Sequence, residues 1–231
     1  MSWKIKGKSV TFKSDDIAQL ELLVNLNATN SSSYNGSGTT WTDLSGNNRD
    51  GTIVGSPSWD GQSFDITSDS TYISLDSYSH GTDDFTYSIM VKFDAFDSYD
   101  TLFANGSWGD VGPLFRVQSR TSIAVYTESA QRGTFTWNPS VDTWYNVVYR
   151  RSGSTNSLFV NGELTGPEFT NQTNISIATA NMWLMRSQHT TGQFTNGKIG
   201  HFALYTRALD VTEIQSNYNF LTSQFIEWHL F

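Results

Sequence analysis

The chain has 231 residues, no cysteine, a net charge of −8 and 14% aromatic residues, with eight Trp and fifteen Phe. That length accommodates one large all-β unit, and the aromatic content can fill a wide core. The acidic balance argues against a nucleic-acid partner, the missing cysteines exclude disulfides and thiolate metal sites, and no apolar run reaches membrane-spanning length.

Residues 1–13 carry Lys4, Lys6, Lys8 and Lys13 and no acid, so this arm is +4 and the rest of the chain is −12. A basic arm on an acidic body can dock on an acidic neighbour; the alternative is a solvated edge strand whose lysines deter aggregation. The start, Met1-Ser2-Trp3-Lys4, lacks the apolar segment of a secretory signal, which implies synthesis in a cytoplasm.

Strand signals follow. Thr71-Tyr72-Ile73-Ser74-Leu75 alternates, and Phe85 to Phe93 places apolar residues at every odd position, the period-two pattern of a half-buried strand. Ser122 to Thr127 and Trp144 to Tyr149 are further strands. Leu158-Phe159-Val160 enters Asn161-Gly162, a type I′ hairpin turn that suits residues tolerant of positive φ, and Glu163-Leu164-Thr165 begins the return. The stretches 27–40, 45–51, 55–62, 94–113, 128–143 and 166–174 read as turns between strands. Short strands at such spacing predict a two-sheet antiparallel sandwich or jelly roll. Asp210 and Glu213 form a capping box, and Val211, Ile214, Tyr218 and Leu221 recur at helical spacing, which predicts one helix over 210–221. The apolar terminus, with Phe225, Trp228 and Phe231, reads as a segment that docks on its own domain or on a partner subunit. These signals divide the chain into a basic arm at 1–18, a β domain at 19–222 and an apolar tail at 223–231.

The six Glu residues are isolated, with no Glu-x-Asp-x-Glu series of the kind that places two carboxylates across a glycosidic bond. A dispersed pair such as Asp110 with Glu128 stays open. No Gly-x-Ser-x-Gly elbow occurs, and His80, His189, His201 and His229 have no recognisable nucleophile or zinc partner, so structural or surface roles are expected of them. Asp43-Leu44-Ser45-Gly46-Asn47-Asn48-Arg49-Asp50 concentrates oxygen ligands around a glycine. Two readings stand: a calcium loop through Asp43, Ser45, Asn47 and Asp50, or an Asx-rich turn whose side chains bond their own backbone. Asp94, Asp97 and Asp100 make a second, weaker acidic loop. For carbohydrate, which needs an aromatic face beside amide or charged hydrogen-bonding groups, the candidates are Tyr99, Asn105, Trp108 and Asp110 in one stretch and Arg132 near Trp137 in another. Trp41, Trp59 and Trp144 are expected in the core.

The phrases Thr40-Trp41-Thr42-Asp43-Leu44-Ser45-Gly46, Trp144-Tyr145-Asn146-Val147-Val148, Leu158-Phe159-Val160-Asn161-Gly162, and Gly197-Lys198-Ile199-Gly200 before Leu204-Tyr205-Thr206-Arg207-Ala208-Leu209 occur in an order that resembles the laminin-G-like, concanavalin A-like lectin/glucanase jelly-roll family. The resemblance covers roughly residues 20–222. It implies an all-β jelly roll of two antiparallel sheets and a domain that more often binds than catalyses, some relatives carrying calcium. The run Leu23-Val24-Asn25-Leu26-Asn27-Ala28, with Asn30 to Trp41, is similar to laminin-G-like proteins of tailed bacteriophages. That likeness implies a non-enzymatic virion surface protein, a decoration, fibre or appendage assembled in host cytoplasm. Its expected partners are other virion subunits, engaged through Lys4, Lys6, Lys8, Phe225, Trp228 and Phe231, and host-surface polysaccharide, with no membrane insertion; the apolar terminus points to a homo-oligomer. The alternative is a free bacterial lectin module, calcium-dependent if the loop holds a metal.

Overall fold

The computed structural model describes residues 2–5, 8–11, 16–106, 112–118, 120–176, 181–189 and 193–225. In chain order the strands are β1 (Ser2–Ile5), β2 (Lys8–Thr11), β3 (Leu22–Asn27), β4 (Thr40–Trp41), β5 (Gly51–Val54), β6 (Ser58–Trp59), β7 (Phe64–Ile66), β8 (Tyr72–Leu75), β9 (Phe85–Phe93) and β10 (Tyr99–Asn105). Then come β11 (Leu114–Gln118), β12 (Ser122–Thr127), β13 (Ala130–Thr136), β14 (Trp144–Ser152), β15 (Thr155–Val160), β16 (Glu163–Leu164), β17 (Phe169–Thr170), β18 (Met182–Leu184), β19 (Gly197–Tyr205) and the helix α1 (Val211–Phe225).

They form the expected sandwich. One sheet has eight strands in the order β13-β12-β11-β10-β18-β8-β5-β4; the other has nine, β16-β15-β14-β9-β19-β7-β6 with β17 on β15 and β3 on β19. All described pairings are antiparallel. Between the sheets lies an aromatic core in which Phe85, Tyr87, Phe103, Phe115 and Tyr149 stack across the gap, with Tyr87–Phe103 at 4.5 Å and 8° and Phe115–Tyr149 at 5.1 Å and 17°. Trp41 is fully buried there, while Trp59 and Trp144 are only partly buried.

A third layer covers the outer face of the nine-stranded sheet. The helix and the segment around Ile17 and Ala18 pack on Met90, Val148, Ala203 and Tyr205. This layer corrects one expectation: β9 is buried on both faces, since Thr86 and Ser88, predicted to face solvent, lie beneath it at 0% and 3% exposure. Their hydroxyls are used there. Thr86 Oγ1 donates to the Arg207 carbonyl and accepts the Leu209 amide, and Asn146 Nδ2 donates to Ser88 Oγ.

The capping box forms as expected: Asp210 Oδ1 accepts the Glu213 amide at 2.8 Å and Glu213 Oε2 accepts the Asp210 amide at 3.0 Å. Arg207 holds the same Glu213 carboxylate in bidentate fashion at 2.5 and 2.6 Å. The helix runs to Phe225, one turn past the expected end. That last turn is held because Phe225 fills the slot above Gly200, where a Cβ would lie 2.1 Å from its ring, and packs on Trp144. The packed body thus includes Ile17, Ala18 and Phe225, beyond the expected limits of 19 and 222. The Asn161-Gly162 turn has φ of 53° and 82°, the positive values a type I′ hairpin requires.

Four of the expected turn stretches contain strands: besides the short β6 within 55–62 and β17 within 166–174, two hold long ones. β10 lies within 94–113 and β13 within 128–143. Asp100, Asn105, Gly133 and the Gln131-Arg132 pair read as turn residues, but cross-strand pairing with β11 and β12 overrides local propensity.

Candidate functional site

The eight-stranded sheet has no helix over its outer face among the described residues. The alternation that buries Phe103, Phe115, Val117, Ile123 and Val125 puts Tyr99, Arg116 and Tyr126 on the outer side. There the Arg116 guanidinium lies between two tyrosine rings, 4.3 Å from the centroids of both Tyr99 and Tyr126. Arg116 is 5% exposed, and Nη1 reaches Gln193 Oε1 at 3.4 Å. The Tyr126 hydroxyl donates to Gln131 Oε1 at 2.8 Å, and Gln131 Nε2 donates to Thr134 Oγ1. Cation–π stacking on both sides of the guanidinium locks the two rings in place.

Next to this stack is a shallow depression with room for about one water molecule, lined by Ala104, Leu114, Tyr126 and Thr127 with Gly106, Gly112, Ser187 and Gln188 at its rim. Its floor is apolar and its rim carries hydroxyl and amide groups, the combination that suits a ligand with one apolar face and a ring of hydroxyls. Arg132 sits beside it, with Nε on Thr127 Oγ1 at 2.7 Å and Nη2 on Glu128 Oε2 at 2.7 Å.

A second aromatic group occupies the same outer face. Tyr72 and Trp183 pack at 4.4 Å and 35°, and the Arg186 guanidinium lies 5.1 and 4.7 Å from their centroids. Asp69 holds Arg186 through Nε at 3.0 Å and Nη2 at 3.2 Å.

Of the expected carbohydrate contacts, Tyr99 and Arg132 fall on this face. Asn105 does not reach it. Its side chain is fully buried, accepts the Tyr78 amide, and donates to the Tyr78 carbonyl and the Tyr87 hydroxyl, so all its hydrogen-bonding capacity is spent inside. Trp137 is core as well, edge-on to Tyr145 at 5.1 Å. Trp108 and Asp110 lie outside the described residues. Arg116, Tyr126, Tyr72, Trp183 and Arg186 were missed. One signal was present: in Leu114-Phe115-Arg116-Val117-Gln118 an arginine occupies the outward register of an otherwise apolar strand.

The Asp43–Asp50 loop is a bracket. Asp43 Oδ1 accepts the amides of Asn25 and Ser45, and Oδ2 accepts the Ser45 hydroxyl and the Arg49 amide, at 2.7 to 3.1 Å. Asp50 Oδ1 accepts the Asp43 amide. Asn47 Nδ2 donates to the carbonyls of Leu22 and Leu23. Every lone-pair direction of Asp43 already faces a hydrogen, so these four residues as arranged do not fit calcium; they pin the loop to β3. Among the described residues no group of three or more His, Asp or Glu is placed to hold a metal.

Of the residues expected to bind a partner, Phe225 is instead buried within its own domain at 1% exposure. Lys4 and Lys8 lie on a hairpin in which β1 and β2 pair only with each other among the described strands. Lys6, Trp228 and Phe231 lie outside the described residues. No helix among the described residues is long and apolar enough to cross a membrane.

The strongly perturbed groups are in the interior. His80, expected in a polar turn, is 3% exposed, with Nε2 2.8 Å from the Tyr87 hydroxyl. Asn105 donates to that hydroxyl, which leaves its proton for His80 Nε2. His201 is 1% exposed, with Nε2 on Asn25 Oδ1 and no partner at Nδ1. Burial pulls both histidines down to about 3, and the charge of Arg151 adds to the effect at His80. Burial pushes Asp100 up to about 7, while its hydrogen bond from the Asp97 amide acts the other way. Burial also raises the Tyr87 hydroxyl.

A family model described as the concanavalin A-like lectin/glucanases superfamily matches residues 67–215. The chain belongs to this superfamily. No curated protein matches it. Similar solved structures include Trypanosoma rangeli sialidase, at 16% identity and a TM-score of 0.66, over 89% of this chain and 33% of that one. The receptor-binding domain of botulinum neurotoxin C/D mosaic serotype gives 12% and 0.68 over 87% of this chain and 51% of that one. The binding domain of Paraclostridial mosquitocidal protein 1 gives 13% and 0.63, over 87% and 52%. This superfamily member therefore spans about one third of the sialidase chain and half of each binding-domain chain. At these identities the likeness is one of fold.

Proposed function

We propose that the chain is a non-enzymatic carbohydrate-binding module whose site is the outer face of the eight-stranded sheet. The observation that carries this is the Tyr99–Arg116–Tyr126 stack beside the apolar-floored depression, on a sheet face with no helical layer among the described residues. Rings already held in place lose little freedom on binding, which favours affinity. The other outer face is occupied by α1, so it offers no comparable surface. Superfamily membership agrees with this reading. The test is a glycan array followed by titration calorimetry of the best hits on wild type and Tyr126→Ala. Binding weakened at least about tenfold by the substitution, with no release of reducing ends, is expected. Reducing ends released from a polysaccharide, and lost in Glu128→Ala, would make the chain a hydrolase instead.

The second reading concerns attachment. The β1–β2 hairpin pairs with no other described strand and belongs to a +4 arm on a −12 body. A hairpin of that size is marginal alone and gains stability on a surface. We infer that it anchors the module to an acidic protein neighbour, on the surface of a tailed-phage virion. Phage particles should carry the chain and shed it when residues 1–13 are deleted; particles without it would leave a free lectin.

A further inference from the structure

The strand register lines up one outward position from each strand across the eight-stranded sheet. Gln131 pairs with Tyr126, Tyr126 with Leu114, Leu114 with Ala104, Ala104 with Trp183, Trp183 with Ser74, Ser74 with Thr52 and Thr52 with Thr40. This row runs at right angles to the strands and connects the two aromatic groups of the outer face. Its middle positions, Leu114 and Ala104, are the floor of the depression. From Tyr126 to Trp183 there are three inter-strand steps, about 14 Å.

Beyond Trp183 the row turns to hydroxyls, at Ser74, Thr52 and Thr40. Polar groups flank it continuously: Gln188, on the rim of the depression, donates to the Asn181 carbonyl, and Asn181 Nδ2 donates to Ser74 Oγ at 3.3 Å. Thr40, Thr52 and Asn181 are exposed, and Tyr72, Ser74 and Trp183 are partly so. The Arg186 guanidinium spends Nε and Nη2 on Asp69, and Nη1 has no partner among the described residues.

From this row we propose that the module recognises a linear oligosaccharide laid across the strands, with Tyr126 and Trp183 as separate subsites. The inference rests on the carbohydrate reading above and extends it to the class of ligand. A monosaccharide stacked at Tyr126 does not reach Trp183. A chain long enough to span about 14 Å engages both aromatic groups, and its hydroxyls meet Asn181, Ser74 and the free Arg186 Nη1. Between the two rings the Ala104 and Leu114 side chains are themselves buried, so contact with the chain falls to the two rings and to the polar rim.

The experiment is calorimetry with malto-, cello-, chito- and β-1,3-gluco-oligosaccharides from disaccharide to hexasaccharide, on wild type, Tyr126→Ala, Trp183→Ala and Asn181→Ala. Thermal melts would report whether each variant is folded; Asn181 is exposed, so its variant stands if Trp183→Ala does not fold. Affinity in one series is expected to rise with length, by about tenfold or more between disaccharide and tetrasaccharide, and then to level off. Trp183→Ala and Asn181→Ala should reduce that gain and leave disaccharide affinity unchanged, whereas Tyr126→Ala weakens every length. Affinity independent of length, or Trp183 and Asn181 variants equal to wild type on the hexasaccharide, overturns the extended site while the carbohydrate reading stands. If no series binds, both fall.

Discussion

Acid should unfold this protein in a way that three interior side chains dictate. His80 and His201 each have a folded-state pKa near 3 against about 6.5 when unfolded, and Asp100 is near 7 against 3.8. As pH falls from 6.5 to 4.5 the protons bound by the unfolded chain at the two histidines rise from about one to about two, and the native protein refuses them. The native protein binds one at Asp100 that the unfolded chain has released. The histidine contributions are present above the unfolded pKa and are lost as pH falls. The Asp100 contribution has the opposite sign: its ionisation destabilises the fold as pH rises toward 7. The net uptake on unfolding rises to about one proton across this window, so stability falls by about 1 kcal/mol per pH unit on acidification, or about 2 kcal/mol from pH 6.5 to 4.5. His201→Gln keeps an amide donor toward Asn25 Oδ1 and removes one proton site, which should flatten the profile over that window. Asp100→Asn removes the opposing group and should steepen it to about 2 kcal/mol per unit. Urea unfolding at pH 4.5, 5.5 and 6.5 measures all three slopes. A wild-type profile that is flat, or an Asp100→Asn profile no steeper than wild type, would refute the assignment.

Three further outcomes follow from the packing. Gly200→Ala places a methyl carbon about 2.1 Å from the Phe225 ring and should lift the last turn of α1, costing about 2–3 kcal/mol in a melt and exposing amides 221–225 to hydrogen exchange. Chelator should leave the melting temperature unchanged, while Asp43→Ala, which strands four donors on the β3 bracket, should lower stability by about 2–4 kcal/mol; a chelator-induced drop would restore the calcium reading. Arg151 is 2% exposed, lies 4.6 Å over Phe85 and donates to the carbonyls of Gly81, Asp83 and Thr173; Arg151→Met should cost about 3 kcal/mol, and a neutral result would show those carbonyls re-pair with water.

What was legible in the sequence is what depends on neighbours in the chain. The alternation of Phe85 to Phe93, the Asn161-Gly162 turn and the Asp210–Glu213 cap all act within a few residues, and all appear where expected. The jelly roll was readable for the same reason, from the order of such local signals. The outer-face groups were not, because their partners are remote. Arg116 meets Tyr99 and Tyr126 through strand pairing, and Arg186 finds Asp69 across 117 residues. Asn105 shows the converse error: beside glycine it reads as a loop amide, yet its place in β10 commits it to Tyr78 and Tyr87. Burial of His80 and His201 was hidden too, since a helix layer and an aromatic core leave no periodic mark on a lone histidine.

The chain enters the packed body at Asp16–Ala18 and leaves it at Phe225, and both points belong to the layer on the nine-stranded sheet. A tether starting at Ile17 or at Phe225 would therefore start on the side away from the tyrosine stack. A tether at either end would hold the module with its open sheet pointing outward, like a lamp on a bracket. Because entry and exit share one side, the unit could also be spliced into a surface loop of a larger protein with little disturbance to the host. Many copies mounted on a common support would then present their open sheets together, and weak single contacts would add into avidity.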